Sequence, residues 1–274
     1  MKLISFATND GRHRPGILDG KNVIDLSKRG YNDLLDVISS EKYPSADGDV
    51  FDLSEVRLLA PIANPPRVFG IGLNYRDHAI ESGMKIPETP VVFFKLANSI
   101  IGSDAPVVLP KNAREVDYEA ELAVVIGEGG YRIPASEAMG HVFGYTIVND
   151  VSARDIQLAT SQWSMGKSFP TFCPVGPAIV TADEIADPHR LDISLRIDGE
   201  VLQSSNTREL IFRIPELIAY LSSITPLQPG DIISTGTPPG VGLGRTPRRW
   251  LKPNETMTIE IASVGTLSNP VIAE

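Results

Sequence analysis

The chain has 274 residues, 42% hydrophobic and 22% charged, ordinary globular values for one sizeable core with at most a small appendage. A formal net charge of −9 argues against binding nucleic acid through its phosphates, and the single cysteine, Cys173, excludes an internal disulfide framework and a cysteine-rich zinc site. No segment approaches the roughly 20 apolar residues of a membrane span and the first residues lack a secretory signal's apolar run, so a cytoplasmic protein without a membrane partner is expected.

"MKLISFATNDGRHRPGILDGKNVIDL" reads as short strands separated by Asp-Gly turns, and "NDLLDVIS" as a short helix. The "NPP" at residues 64 to 66 ends regular structure, which places a small N-terminal domain over 1–64 and the main domain over 65–274. Beyond it, β-rich runs alternate with Pro and Gly: "PVVFFKLANSII", "YEAELAVVIG", "MGHVFGYTIVND", "GPAIVT", "LDISLRIDGEVLQ", "DIISTG" and "ETMTIEIASVGTLSNPVI". Asp198-Gly199 marks a hairpin. The helices are few and short: "NYRDHAIESG", "SARDIQLAT" and "IPELIAYLSS". The pattern predicts an α+β fold that is predominantly β, without internal repeats.

"VDYEAELAVVIG", residues 116 to 127, carries the first chemical signal. On a strand, Val116, Tyr118, Ala120, Leu122, Val124 and Ile126 share one face, and Asp117, Glu119 and Glu121 share the other. Same-face neighbours lie about 6.5–7 Å apart, so adjacent acids repel unless a positive group separates them. A solvated edge strand is the ordinary explanation of an isolated E-x-E pattern. "YTIVNDVSARDIQ" shifts the balance: its strand ends at Asn149-Asp150, and Asp150 is either a helix-capping acid or a third carboxylate. Three carboxylates without a Cys/His cluster suit a hard dication such as Mg²⁺.

His78 and Glu81 stand at i and i+3 in "NYRDHAIESG". A lone helical histidine is more often a packing or surface residue, whereas one with a carboxylate a turn away can activate water; H-x-x-E by itself is a weak signal. Lys95 follows an apolar run and Lys167 sits among Gly, Phe and Pro; each either snorkels to the surface or neutralises an anionic substrate. "PGDIISTGTPPGVGLG", residues 229 to 244, contains G-x-G-x-G, but the two prolines of "RTPRRWLKP" deny it the following helix of a nucleotide site. What remains is a loop able to bring backbone N–H groups and Thr237 near a small anion such as a carboxylate.

"RVFGIGLNYRDHA", "VDYEAELAVVIG", "GYTIVNDVSARDIQ", "GKSFPTFCPVGP" and "QPGDIISTGTPPGVG", in that order, closely resemble the fumarylacetoacetate hydrolase family, in its acylpyruvase-like and 2-hydroxyhepta-2,4-diene-1,7-dioate isomerase-like branch. The resemblance runs from about Pro66 to the C-terminus. It implies a mixed β-sandwich roll behind a small, variable N-terminal domain, and commonly a homodimer. It implies that Glu119, Glu121 and Asp150 coordinate Mg²⁺, with Mn²⁺ or Ca²⁺ able to substitute, and that Asp117 is not a ligand. His78 and Glu81 match a water-activating pair on a segment that closes over substrate. Lys167 matches a lysine facing substrate; Arg154, Gln157 and Thr237 match substrate-contacting positions, with Lys95 as an outer or water-binding lysine beside them. Pro170 departs from the pattern, since many relatives carry an acid after "GKSF", and this bears on loop shape and substrate preference.

The activity implied is hydrolysis of a carbon–carbon bond in a short diketo acid of acylpyruvate or fumarylpyruvate type. The keto-acid end would chelate the metal, Glu81 and His78 would activate water, and a pyruvate-type enolate would be held by the metal and Lys167. The same site would serve oxaloacetate decarboxylation or tautomerisation, hydration or isomerisation of an unsaturated 2-oxo acid, or ureidoglycolate lyase chemistry. A non-catalytic relative that binds metal and small molecules is the rival from another class; the His78/Glu81 pair argues against it.

Overall fold

The structure, a computed structural model, describes residues 1–40 and 43–274. Alternation of apolar and polar residues builds the smaller of its two main sheets. In Asp192–Ile197, Ile193, Leu195 and Ile197 turn inward while Asp192 and Arg196 face solvent; Thr256–Ile261 repeats the pattern with Met257, Ile259 and Ile261. The spatial order is Glu200–Asn206, Asp192–Ile197, Thr256–Ile261, Gly265–Ala273 and Val107–Leu109, antiparallel except for the last pair.

Asp198 and Gly199 form the expected two-residue turn, with φ of 50° and 87°. Positive φ at both positions matches the twist of the flanking strands. Nothing lies within 4 Å of a Cβ built on Gly199. Gly199→Ala is therefore expected to cost only left-handed strain, about 1–2 kcal/mol, seen as a lower urea midpoint at unchanged slope. An unchanged midpoint would count against this turn.

The larger sheet has twelve strands among the described residues. Its N-terminal edge is the meander Val50–Asp52, Asn22–Asp25, His13–Asp19 and Lys2–Ala7. It continues through Cys173–Thr181, Val142–Asn149, Ala120–Ile126, Ile232–Ser234, Val68–Gly72 and Val91–Lys95. Lys2 pairs with Val180 and Leu3 with Ile179, so hydrogen bonding carries the sheet past the Asn64-Pro65-Pro66 division without a break. Ile232–Ser234 runs parallel to Val68–Gly72, which makes the sheet mixed.

Ala120–Ile126 and Val142–Asn149 are buried at every position because both faces of the sheet are covered. Leu122, Val124 and Ile126 share a core with Leu195, Ile259 and Leu267 of the smaller sheet. Ala123 packs the other way with Val148 and Val175, and Val125 with Leu3, Leu34 and Ile38 of the N-terminal segment. The helix Ile214–Ile224 adds Leu217, Ile218 and Leu221 to the main core. The protein is thus a predominantly β, mixed β-sandwich with short helices.

Two local features differ from expectation. The strand expected from Met139 begins at Val142, because Ala138–His141 forms a 3₁₀ turn in which Gly140 N–H donates back to Glu137 O at 2.9 Å. "QWSMGKSF" contains a one-turn helix, Ser164–Lys167, too short to leave a period in the sequence. Among the described residues no helix is long and apolar enough to cross a membrane.

Candidate metal centre and active site

Strand register assembles the acids. Ala120 pairs with Asn149, so Asp150 follows its strand's last residue beside Glu119, and Asp150 N–H donates to Glu119 O at 2.9 Å. Asn149 Oδ1 accepts the Glu119 N–H at 3.0 Å and fixes the backbone there. Glu119, Glu121 and Asp150 are all buried, and one carboxylate oxygen of each lies within 4.8 Å of the others. An all-oxygen, anionic set of this size fits a hard divalent cation.

The surroundings of the three acids differ. Glu119 accepts from Arg154 Nη2 at 2.6 Å and from Lys167 Nζ at 2.7 Å; Asp150 accepts from Lys167 and Lys95, each at 2.5 Å. Burial by itself would raise the Glu119 carboxyl, but the Arg154 and Lys167 charges outweigh it and hold it at about 2. Glu121 accepts at Oε2 from Ser234 Oγ at 2.6 Å and Gly236 N–H at 2.9 Å, two uncharged donors. Burial, reinforced by Asp150 and Glu119, pushes its carboxyl up to about 8. Burial opposes the Lys167 charge, yet Asp150 and Glu119 raise its pKa above the usual lysine value. The Lys167 ammonium also sits 4.8 Å from the centre of the Phe93 ring.

One turn of helix, Arg76–Glu81, brings His78 Nδ1 to 3.1 Å from Glu81 Oε1. His78 is buried, and Gly240 N–H donates to both Glu81 oxygens at 3.0 Å. Arg154 Nη1 donates to Gln157 Oε1 at 3.0 Å from the helix Arg154–Gln157. His78, Glu119, Glu121, Arg154, Gln157, Lys167 and Thr237 meet on one small cavity. Its remaining wall is largely apolar, with Leu73, Met84, Phe93 and Trp163.

Lys95, Asp150 and Glu81 stand behind that wall. Lys95 is fully buried and directs its ammonium to Asp150 Oδ1, Val151 O and Lys167 O, which uses its three N–H bonds. In this structure the Lys95 ammonium braces Asp150 from behind the wall. Thr237 donates to Ala120 O at 3.0 Å and accepts from Gln203 Nε2 at 2.8 Å while lining the cavity. The loop after Ile232–Ser234 also departs from expectation. Its N–H groups point at the protein's own carboxylates: Gly236 at Glu121, Gly240 at Glu81, and Gly242 and Leu243 at Asp117.

Asp117, set aside as a non-ligand, is fully buried and bonded to Arg154. Ser234, Gln203 and Asn149 also belong to the site's hydrogen-bond frame. Gln203 lies outside the five motifs, while Asn149 and Ser234, each at the end of an apolar run, carry only a positional hint.

Comparison with known proteins places the whole chain among relatives of one family. A family model described as "Fumarylacetoacetate (FAA) hydrolase C-terminal" matches residues 67–272. The chain is 42% identical over 288 residues to "Oxaloacetate tautomerase fahd2, mitochondrial" of Xenopus laevis, spanning 99% of this chain and 90% of that protein. It superposes on the fumarylacetoacetate hydrolase of Exiguobacterium antarcticum with a TM-score of 0.88 at 35% identity, over 100% of both chains. The 5-carboxymethyl-2-hydroxymuconate delta-isomerase of Mycobacterium smegmatis superposes with a TM-score of 0.84 at 36% identity, again over 100% of both.

Proposed function

The chain belongs to the fumarylacetoacetate hydrolase family, whose members compared above are enzymes, and from that premise we propose that it catalyses keto–enol tautomerisation of a short 2-oxo dicarboxylic acid, oxaloacetate or a near analogue. The observation that carries this reading is that His78, held by Glu81 from behind, meets Glu119 and Glu121 of the acid triad on one cavity. The name of the Xenopus relative supports the substrate.

Glu119, Glu121 and Asp150 would hold a divalent cation, Mg²⁺ with Mn²⁺ or Ca²⁺ able to substitute, which when bound supplies a Lewis acid to the 2-oxo group. Arg154 and Lys167 bring positive charge to the same wall and stabilise the substrate carboxylate and the charge that develops on oxygen. With Nδ1 held by Glu81, His78 uses Nε2 to take a proton from C3 and deliver it to the enolic oxygen, or the reverse. Phe93 and Trp163 keep bulk water from the enolate.

Hydrolysis of an acylpyruvate is the second reading. Leu73, Met84 and Trp163 favour it, because an apolar wall suits an acyl tail that oxaloacetate lacks. A turnover panel with Mg²⁺ separates the two: oxaloacetate, acylpyruvates of several lengths, ureidoglycolate and 2-oxo-enoic acids, with products identified by mass. Faster decay of the oxaloacetate enol absorbance without carbon–carbon cleavage is expected. Release of pyruvate from an acylpyruvate, with no effect on oxaloacetate, would overturn the first reading in favour of the second. Either way oxalate, planar and doubly anionic like the carboxylate–enolate end of the intermediate, should bind in excess Mg²⁺ on the order of 10²-fold more tightly than pyruvate. Lys167→Ala should shrink that preference; oxalate binding no better than acetate would rule out the enolate.

A homodimer is part of the proposal. Exposed Ile80 and Met165, on the helices that carry His78 and Lys167, support it, and a monomer in sedimentation equilibrium would refute it. The cytoplasmic placement rests on the single cysteine; the Xenopus relative is named as mitochondrial.

A further inference from the structure

Asp117 lines no part of the cavity, yet its carboxylate is fully buried and surrounded by donors. Arg154 reaches Oδ2 through Nε at 2.9 Å and Nη2 at 2.8 Å, and the same Nη2 lies 2.6 Å from Glu119 Oε1. On its other side, Gly242 N–H donates to Oδ1 at 2.7 Å and Leu243 N–H to Oδ2 at 3.0 Å. Gly242 permits this approach: a Cβ there would stand 1.8 Å from Arg249 O and 2.7 Å from Asp117 Oδ1. Two residues upstream, Gly240 N–H holds both oxygens of Glu81, the partner of His78.

We propose that Asp117 is a positioning residue that anchors the 240–243 loop to Arg154 and thereby holds the His78–Glu81 pair at its working distance from the acid triad. A buried carboxylate could have served Arg154 alone. The two backbone donors arriving from the loop are what a partner for Arg154 does not require. Asparagine has the same shape but one acceptor oxygen, and its NH₂ would meet either Arg154 or the loop N–H groups donor against donor. The role rests on the proposed proton transfer at His78, but the anchoring itself does not depend on which keto acid is used.

The test uses Asp117→Asn, with Gly242→Ala as a second variant that keeps both the Asp117 and the Arg154 side chains but forces the loop away from them. Asp117→Asn should bind Mg²⁺ within about threefold of wild type by calorimetry, because the three ligands are untouched. Its kcat should fall on the order of 10²-fold with a much smaller change in KM, as expected when a reacting group is displaced by about 1 Å. In a Glu81→Gln background the same substitution should lower kcat less than about threefold, since both act through one connection. Amide exchange at Gly240–Leu243 should accelerate in Asp117→Asn and in Gly242→Ala alike. Equal kcat losses in both backgrounds, or unmoved exchange at those amides, would overturn the proposal. The exchange measurement needs no substrate: a loosened loop in a protein whose wild type turns over none of the keto acids refutes the tautomerase reading and keeps the anchor.

Discussion

Glu121→Gln is expected to weaken Mg²⁺ binding by more than about 100-fold, beyond the 10–100-fold typical of losing a group that merely supports a ligand. Glu119 and Asp150 each have cationic side chains at hydrogen-bond distance, whereas among the described residues Glu121 receives only Ser234 Oγ and Gly236 N–H, both at Oε2. Burial with Asp150 and Glu119 nearby pushes its carboxyl up to about 8, so a dication offers the charge compensation that its protein neighbours do not. Glutamine would keep its carbonyl on Ser234 and Gly236 and turn an NH₂ toward the other two acids, a donor where a ligand is needed. The variant should fold, because it replaces a buried acid by an uncharged isostere. Calorimetry reads the affinity, and thermal melting gives a second readout: wild type should gain about 2.7 kcal/mol at 100 times its Kd for Mg²⁺, and the variant should gain almost none. Wild-type affinity in folded Glu121→Gln would mean that these acids are not the metal centre.

His78→Ala should leave the metal and remove the chemistry. His78 lines the cavity but is not among the grouped acids, so Mg²⁺ affinity should stay near that of wild type. Loss of a positioned general base or acid lowers turnover by about 10²–10⁴-fold. Glu81 remains held by Gly240 N–H in the variant, which confines the change to the imidazole. Proton exchange at C3 of oxaloacetate in deuterated water, followed by NMR, isolates this step from any later cleavage. Exchange at the wild-type rate in a folded, metal-binding His78→Ala protein would take this histidine out of the mechanism.

Local pattern carried much of this protein by itself. Period-two alternation in "LDISLRIDGEVLQ" and "ETMTIEIASVG", with Asp198-Gly199 between strands, specifies the smaller sheet's hairpins, because turn chemistry and side-chain alternation are properties of adjacent residues. The same reasoning put Glu119 and Glu121 on one face and left Asp150 at a strand end as either a cap or a third ligand. Family resemblance then selected the ligand role, and the buried cluster of the three acids accords with it.

What only the tertiary structure decided lies in contacts between distant residues. Pro65 and Pro66 end regular structure after Asn64, but the Leu3–Ile179 pairing carries one sheet past them. Two lysines that each follow or sit among apolar residues in the sequence separate in space: Lys167 reaches the cavity wall, and Lys95 braces Asp150 behind it. The Gly/Pro loop was legible as a source of backbone N–H groups, but its acceptors, Glu121, Glu81 and Asp117, lie more than a hundred residues earlier. Asp117 had only a negative signature in the sequence, an acid on the right face that was not a ligand. Its partners are chosen by strand register and loop packing, and a buried carboxylate must find donors wherever the fold brings them, since leaving it unpaired costs more than any local preference supplies.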